Sequence, residues 1–142
     1  MSHAIRDIVR NQKILAVSPE TSVRAAARGM ADRNVGSVMV VEDGKLVGIF
    51  TERDALVRVL AAGLDPATTK LSAVMVRKVL TIGPDRPLVN ALHRMHDNGF
   101  RHMPVVDDGV PIGIVSLRDA LASDLIQFEA EEESKERLTE VM

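Results

Sequence analysis

Two stretches of the chain repeat one order of apolar and polar positions. Each opens with an apolar run of strand length, Ile14-Leu15-Ala16-Val17 and then Val79-Leu80-Thr81-Ile82, with a proline two residues further on, Pro19 or Pro84. Helical spacing follows. Val23, Ala26, Ala27 and Met30 fall at i, i+3, i+4 and i+7, as do Leu88, Ala91, Leu92 and Met95. Thr21 or Ser22 in the first stretch and Asp85 in the second are candidate N-caps. Asn34 and Gly99, residue types that tolerate a left-handed stop, stand just past the two helices. Two strands come next, Ser37–Val41 with Leu46–Phe50, and His102–Val106 with Ile112–Val115. Asp-Gly lies between the members of each pair, a hairpin signal. A second helix is expected from near Thr51 and again from near Ser116.

Each stretch therefore reads strand, helix, strand, strand, helix. A shift of 65 positions brings GIFTERDAL, starting at Gly48, onto GIVSLRDAL, starting at Gly113. Over the surrounding region roughly 14 of about 40 aligned positions are identical, the self-similarity expected of repeated units. A unit of about 60 residues is marginal alone, because too little of its surface leaves water. We expect an α+β fold (α/β in the broad sense) of two tandem βαββα repeats packed with pseudo-twofold symmetry. The expected division is residues 1–68 for the first repeat with an N-terminal lead-in, 69–128 for the second, and 129–142 for an acidic C-terminal helical tail. The pieces Ile5-Arg6-Asp7-Ile8-Val9 and Leu71-Ser72-Ala73-Val74-Met75 each precede a copy, one residue out of phase with the repeat.

Composition narrows the classes. A chain of 142 residues with 46% hydrophobic residues can bury a substantial core. A net charge of −2 supplies no field toward nucleic acid or an anionic membrane. The absence of Trp and Tyr argues against stacking platforms for single strands. Without cysteine there is no disulfide framework, thiolate nucleophile or thiolate metal site. No apolar run is long enough to span a bilayer, and MSHAIRDIV has no apolar signal core. The expected location is cytoplasmic.

The order apolar strand, x-Pro, helix, V-V-x-D-G, then G-I-[FV]-[TS]-x-x-D, written twice, resembles a tandem pair of CBS (cystathionine β-synthase) domains, a Bateman module. The resemblance runs from about Ile5 to Asp124 and suggests a stand-alone CBS-pair protein. It implies a cleft between the copies, adenine nucleotides (AMP, ADP or ATP) bound there, and head-to-head or head-to-tail homodimers. NAD(H) and S-adenosylmethionine are alternative ligands.

Thr51-Glu52-Arg53-Asp54 and Ser116-Leu117-Arg118-Asp119 fall where a strand turns into a helix, and backbone N–H groups there suit anions. The resemblance implies ribose on the Asp and phosphate near the Ser or Thr. Ser/Thr-x-x-Asp is equally a variant of the capping box, and both roles can coexist. Arg53 and Arg118 either clamp phosphate or are surface charge. The copies differ before the last hairpin. Arg101-His102-Met103-Pro104 resembles the family's R-H-x-P segment, whose basic residues approach phosphate, whereas the first copy carries Gly36-Ser37-Val38-Met39. The stronger nucleotide site is therefore expected at Thr81, Ile82, Arg101, His102, Met103, Pro104, Ser116, Arg118 and Asp119. A second, weaker one is expected at Ala16, Val17, Ser37, Val38, Thr51, Arg53 and Asp54.

His93 and His96 have a spacing that can hold a metal, but a solvated helix face explains them as well, and no metal site is expected. The methionines at 30, 39, 75, 95 and 103 read as packing. Leu121, Leu125 and Phe128 extend an apolar stripe toward the acidic tail, either a solvated end or a docking helix. No P-loop, G-x-G-x-x-G, nucleophile elbow or H-E-x-x-H occurs. The expected role is a non-enzymatic sensor of adenine nucleotide that signals to an unidentified partner protein, with no catalytic cofactor, nucleic acid or membrane involved. The alternative is a ligand-free oligomerisation or adaptor module.

Overall fold

A computed structural model describes residues 4–118. The elements run α1 (Ile5–Val9), β1 (Ala16–Val17), α2 (Val23–Arg33), β2 (Ser37–Glu42), β3 (Lys45–Thr51), α3 (Glu52–Asp54) continuing as a π-helix (Ala55–Leu60), α4 (Leu71–Val74), α5 (Leu88–Asn98), β4 (His102–Asp107) and β5 (Val110–Ser116). Leu117 and Arg118 enter a helical turn. The second helix of the second repeat and the acidic tail otherwise lie outside the described residues.

The hairpins form where Asp-Gly placed them. Asp43 and Gly44 have φ of 52° and 77°, Asp108 and Gly109 of 52° and 81°. Positive φ at both central residues matches the twist of the flanking strands. Both hairpins shift register after their second valine pair, between Val40 and Val41 and between Val105 and Val106. The two turns also meet: Leu46 N donates to Gly109 O at 3.2 Å and Lys45 Nζ to Asp108 O at 2.7 Å.

The helices start and stop for different reasons. Ser22 caps α2 by accepting from Ala25 N, and Asn34 ends it at φ 54°. Gly99 ends α5 at φ 71°. Asp85 is not the cap of α5. Pro87 holds that position without a side-chain bond, and Asp85 pairs instead with Arg6 at 3.1 Å. The helix begins two residues later than an Asp85 cap requires, because Pro87 fixes the extended backbone that precedes it (φ −65°, ψ 147°).

The opening strands are shorter than the apolar runs. β1 runs parallel to β2 at Ala16↔Met39 and Val17↔Val40. The second repeat keeps only the bridge Ile82↔Val105. Proline explains the difference. Met39 N donates to Leu15 O at 3.0 Å, but its counterpart Pro104 has no N–H to offer Leu80.

Two apolar cores result, and each borrows the lead-in that precedes the other repeat. Ile5 and Val9 of α1 pack with Ile82, Leu88, Ala91, Met95, Met103, Val105 and Val115 of the second repeat. Leu71, Val74 and Met75, around α4, pack with Val23, Ala26, Met30, Val38, Val40, Phe50 and Val59 of the first. The five methionines at 30, 39, 75, 95 and 103 are all buried. Backbone contacts repeat the exchange. Leu71 N and Ser72 N donate to Thr21 O and Pro19 O, while Ile5 N and Arg6 N donate to Arg86 O and Pro84 O.

The doubled Gly-Ile follows from this crossing. Val76 exchanges two backbone hydrogen bonds with Ile49, both 2.9 Å. In the second repeat the Gln12 side-chain amide takes that place, donating to Ile114 O at 2.8 Å and accepting from Ile114 N at 2.9 Å. A Cβ at Gly48 would lie 2.7 Å from Met75 Sδ and 3.1 Å from Val76 O, and one at Gly113 would overlap Val9 Cβ. Glycine is needed where the foreign segment passes over the strand.

Candidate functional site

The ends of β3 and β4 and the linker after α4 enclose a cavity of about 720 Å³. That lies within the span of small-molecule sites, roughly 300–1,000 Å³. The first repeat supplies Ile49 and Thr51 from β3, Glu52, Arg53 and Asp54 from α3, and Leu56 and Arg58 from the π-helix. The second supplies Gly99, Phe100, Arg101 and His102, and the linker supplies Val76, Lys78, Val79 and Leu80. The cavity is thus composite, with one helix start facing the segment that enters β4.

Each wall has a local cause. Thr51 leaves the strand in extended conformation and caps the following turn. Its Oγ1 accepts from Asp54 N at 3.2 Å, and Asp54 Oδ2 accepts from Thr51 N and from Thr51 Oγ1, both at 3.0 Å. This is a complete capping box, satisfying donors the helix itself leaves open. The other carboxylate oxygen, Asp54 Oδ1, lies 3.5 Å from Arg58 Nε, with the Asp54 side chain 13% exposed. Opposite, the left-handed Gly99 ends α5 and turns the chain so that Phe100 and Arg101 stand at the rim, both exposed. Gly36 keeps the space between them clear, since a Cβ there would lie 3.0 Å from Glu52 Oε1 and 3.2 Å from His102 Nε2.

The electrostatics are lopsided. Arg53, Arg58, Lys78 and Arg101 stand against Glu52 and Asp54. Arg58 is paired with Asp54, but the side chains of Arg53, Lys78 and Arg101 make no ion pair or hydrogen bond among the described residues. Val76, Val79, Leu80, Ile49 and Phe100 provide an apolar wall beside these cations. Such a site suits a flat apolar group attached to an anion.

The structure mixes the two sets read from the sequence. Thr51, Arg53 and Asp54 of the one share this cavity with Arg101 and His102 of the other. Ala16 is exposed on β1 and Val17 packs on the first core, while Ser37 and Val38 are buried in β2. Thr81 offers its carbonyl to Arg94 Nη1 at 2.9 Å. Ile82 lines a smaller cavity of about 240 Å³ with Arg86, Asn90, His93 and Arg94. Met103 and Pro104 are fully buried in β4, Ser116 ends β5 and Arg118 is exposed. Asp119 lies outside the described residues. Lys78, Arg58 and Phe100 carry much of the cavity's character yet belong to no motif. For Lys78 the signal is positional: the linker crosses to the first repeat only once the chain is folded. Among the described residues no cluster of His, Asp and Glu is placed to hold a metal, and no helix is long and apolar enough to cross a membrane.

Comparison with known proteins agrees with this architecture. The model of the CBS domain matches residues 5–61 and 71–125. CBS domain-containing protein YhcV of Bacillus subtilis is 34% identical over 122 residues, covering 86% of each chain. CBS domain-containing protein CBSCBSPB1 of Arabidopsis thaliana is 38% identical over 106 residues, covering 74% of this chain but only 20% of the relative. The chain thus spans about a fifth of that plant protein. A protein with CBS domains from Burkholderia ambifaria superposes with a TM-score of 0.81 at 26% identity, covering 87% of this chain and 95% of that one. The CBS domain pair of protein MJ0100, solved with 5′-methylthioadenosine and S-adenosyl-L-methionine, gives 0.78 at 27% identity over 91% and 99%. Repeats, exchanged lead-ins and family match together place the chain in the CBS-domain family, as two CBS domains in tandem, a regulatory module.

Proposed function

We propose that this CBS pair is a cytoplasmic sensor that binds an adenine nucleotide in the composite cavity and presents the bound state to a partner protein. One observation carries the reading: Arg53, Lys78 and Arg101, without an ion pair among the described residues, line a cavity with an apolar wall and a carboxylate at a helix start. In this reading the base packs on Val79, Leu80 and Phe100, Asp54 meets the ribose, and the cations and His102 meet phosphate, where guanidinium forks match the oxygens. AMP, ADP and ATP fit this charge better than S-adenosylmethionine, whose sulfonium would join a positive cluster. The neighbour bound to 5′-methylthioadenosine and S-adenosyl-L-methionine supports an adenosyl ligand in general. A second site, with Ser116, Arg118 and Asp119, is proposed because the motif of Thr51, Arg53 and Asp54 recurs there in the sequence. Homodimers are part of the proposal, since Leu56, Val57, Leu60 and Leu64 leave apolar surface exposed on and just after the π-helix.

The capping box favours a second reading, a ligand-free adaptor, because Thr51 and Asp54 already satisfy each other. Absorbance separates the two. With neither Trp nor Tyr, the protein contributes almost nothing at 280 nm, so a co-purified nucleotide stands out as a peak near 260 nm. Thermal melting with AMP, ADP, ATP, NAD(H) and S-adenosylmethionine then ranks ligands, since binding to the folded state raises stability. A melting temperature unmoved by all five, with no 260 nm peak, selects the adaptor. Asp54→Asn and Asp119→Asn keep a capping acceptor but lose charge. Unchanged nucleotide affinity in both overturns the ribose assignment.

A further inference from the structure

We propose that Arg58 sets the affinity of the cavity by occupying the carboxylate oxygen that a ribose would take. The inference rests on the nucleotide reading above and adds a competing group within the protein. Asp54 has two oxygens and both are engaged. Oδ2 accepts from the backbone N–H and the hydroxyl of Thr51, so freeing it would dismantle the helix start. Among the described residues Oδ1 is engaged by the Arg58 guanidinium alone, 3.5 Å away, and Arg58 is the partner that can leave. Its side chain is 49% exposed, and its second anchor is a long 3.4 Å hydrogen bond from Nη1 to Val74 O. A ribose hydroxyl reaching Oδ1 therefore exchanges one ion pair for a hydrogen bond. Arg58 lines the same cavity, so once released it joins the cations around the phosphate. The latch opposes a bare nucleoside and is compensated when the ligand carries phosphate.

Adenosine, which is uncharged, isolates the effect. Calorimetric titration of the full chain with adenosine and with ATP is run on the wild type and on Arg58→Met, which keeps an apolar stem. In the variant, adenosine binds more tightly, by up to about fivefold, the range of a partly exposed ion pair. The ratio of ATP to adenosine affinity falls. In the wild type, adenosine binding strengthens from low to high salt, because screening weakens the pair that must open; in Arg58→Met that dependence is lost. The wild-type salt series stands even if the variant folds poorly. Adenosine binding that is insensitive to salt in the wild type, or no tighter in a folded Arg58→Met, overturns the latch while nucleotide binding stands. If neither protein binds any purine compound, the nucleotide reading fails and the latch with it.

Discussion

Gly48 and Gly113 each lie under a chain segment from elsewhere in the sequence, and the atoms above them differ in how far they can move. Over Gly113 stands Val9 Cβ, fixed to the backbone of α1; over Gly48 stands Met75 Sδ, the movable end of a flexible side chain, with Val76 O behind it. Gly113→Ala is therefore expected to cost more than Gly48→Ala, with both within about 1–3 kcal/mol, the usual range for overpacking. Urea denaturation of the two variants gives the order. The cations make a second residue-level prediction. Lys78→Gln and Arg101→Gln should each weaken ATP binding by about tenfold, as for a hydrogen bond to a charged group, and leave adenosine nearly untouched. Titration calorimetry reads both ligands, and equal losses for the two would remove the phosphate role. Of these residues, Arg101 stood out in the sequence because its copy departs from Gly36. Lys78 did not, since nothing in a linker lysine reveals which wall it will join.

Local elements were largely legible where short-range chemistry decides them. Asp-Gly set both turns, Ser22 capped α2, and Asn34 and Gly99 stopped the helices, because each acts on backbone within a few residues. Asp85 failed as a cap because an N-cap must immediately precede the first turn, and Pro87 already held that place. The run 79–82 failed as a full strand because pairing depends on the neighbour, and Pro104 withholds a donor. The motif Thr51-x-x-Asp54 was ambiguous between cap and ligand contact, and the structure shows the cap complete. Thr51→Ala should accordingly cost about 1 kcal/mol of stability with or without ligand present. Chemical denaturation in both conditions checks it, and a loss seen only with ligand would mean that the hydroxyl serves the ligand instead.

At the scale of the molecule, the exchanged lead-ins tie the two repeats into one folding unit. Removing residues 1–12 should expose the second core through the loss of Ile5 and Val9, although no residue of that repeat is touched. The milder Ile5→Ala is expected to cost about 2–5 kcal/mol, as for other large-to-small changes in a core. Because each core contains residues from outside its repeat, the wild type should melt in one transition, with calorimetric and van't Hoff enthalpies equal. Two separate transitions would show that the repeats fold independently. The sequence by itself determined the duplication, the order of elements in the first copy and of the helix and hairpin in the second, the hairpin turns and the apolar helix faces, since periodicity and turn chemistry act along a few neighbouring residues. Only the tertiary structure decided which core each lead-in enters, and so which helix start faces Arg101 and His102. A short apolar helix fits either copy of a duplicated core. Both repeats offer the glycine gap, Gly48 or Gly113, so the choice falls to the reach of the linkers, which counts only once the strands are in place.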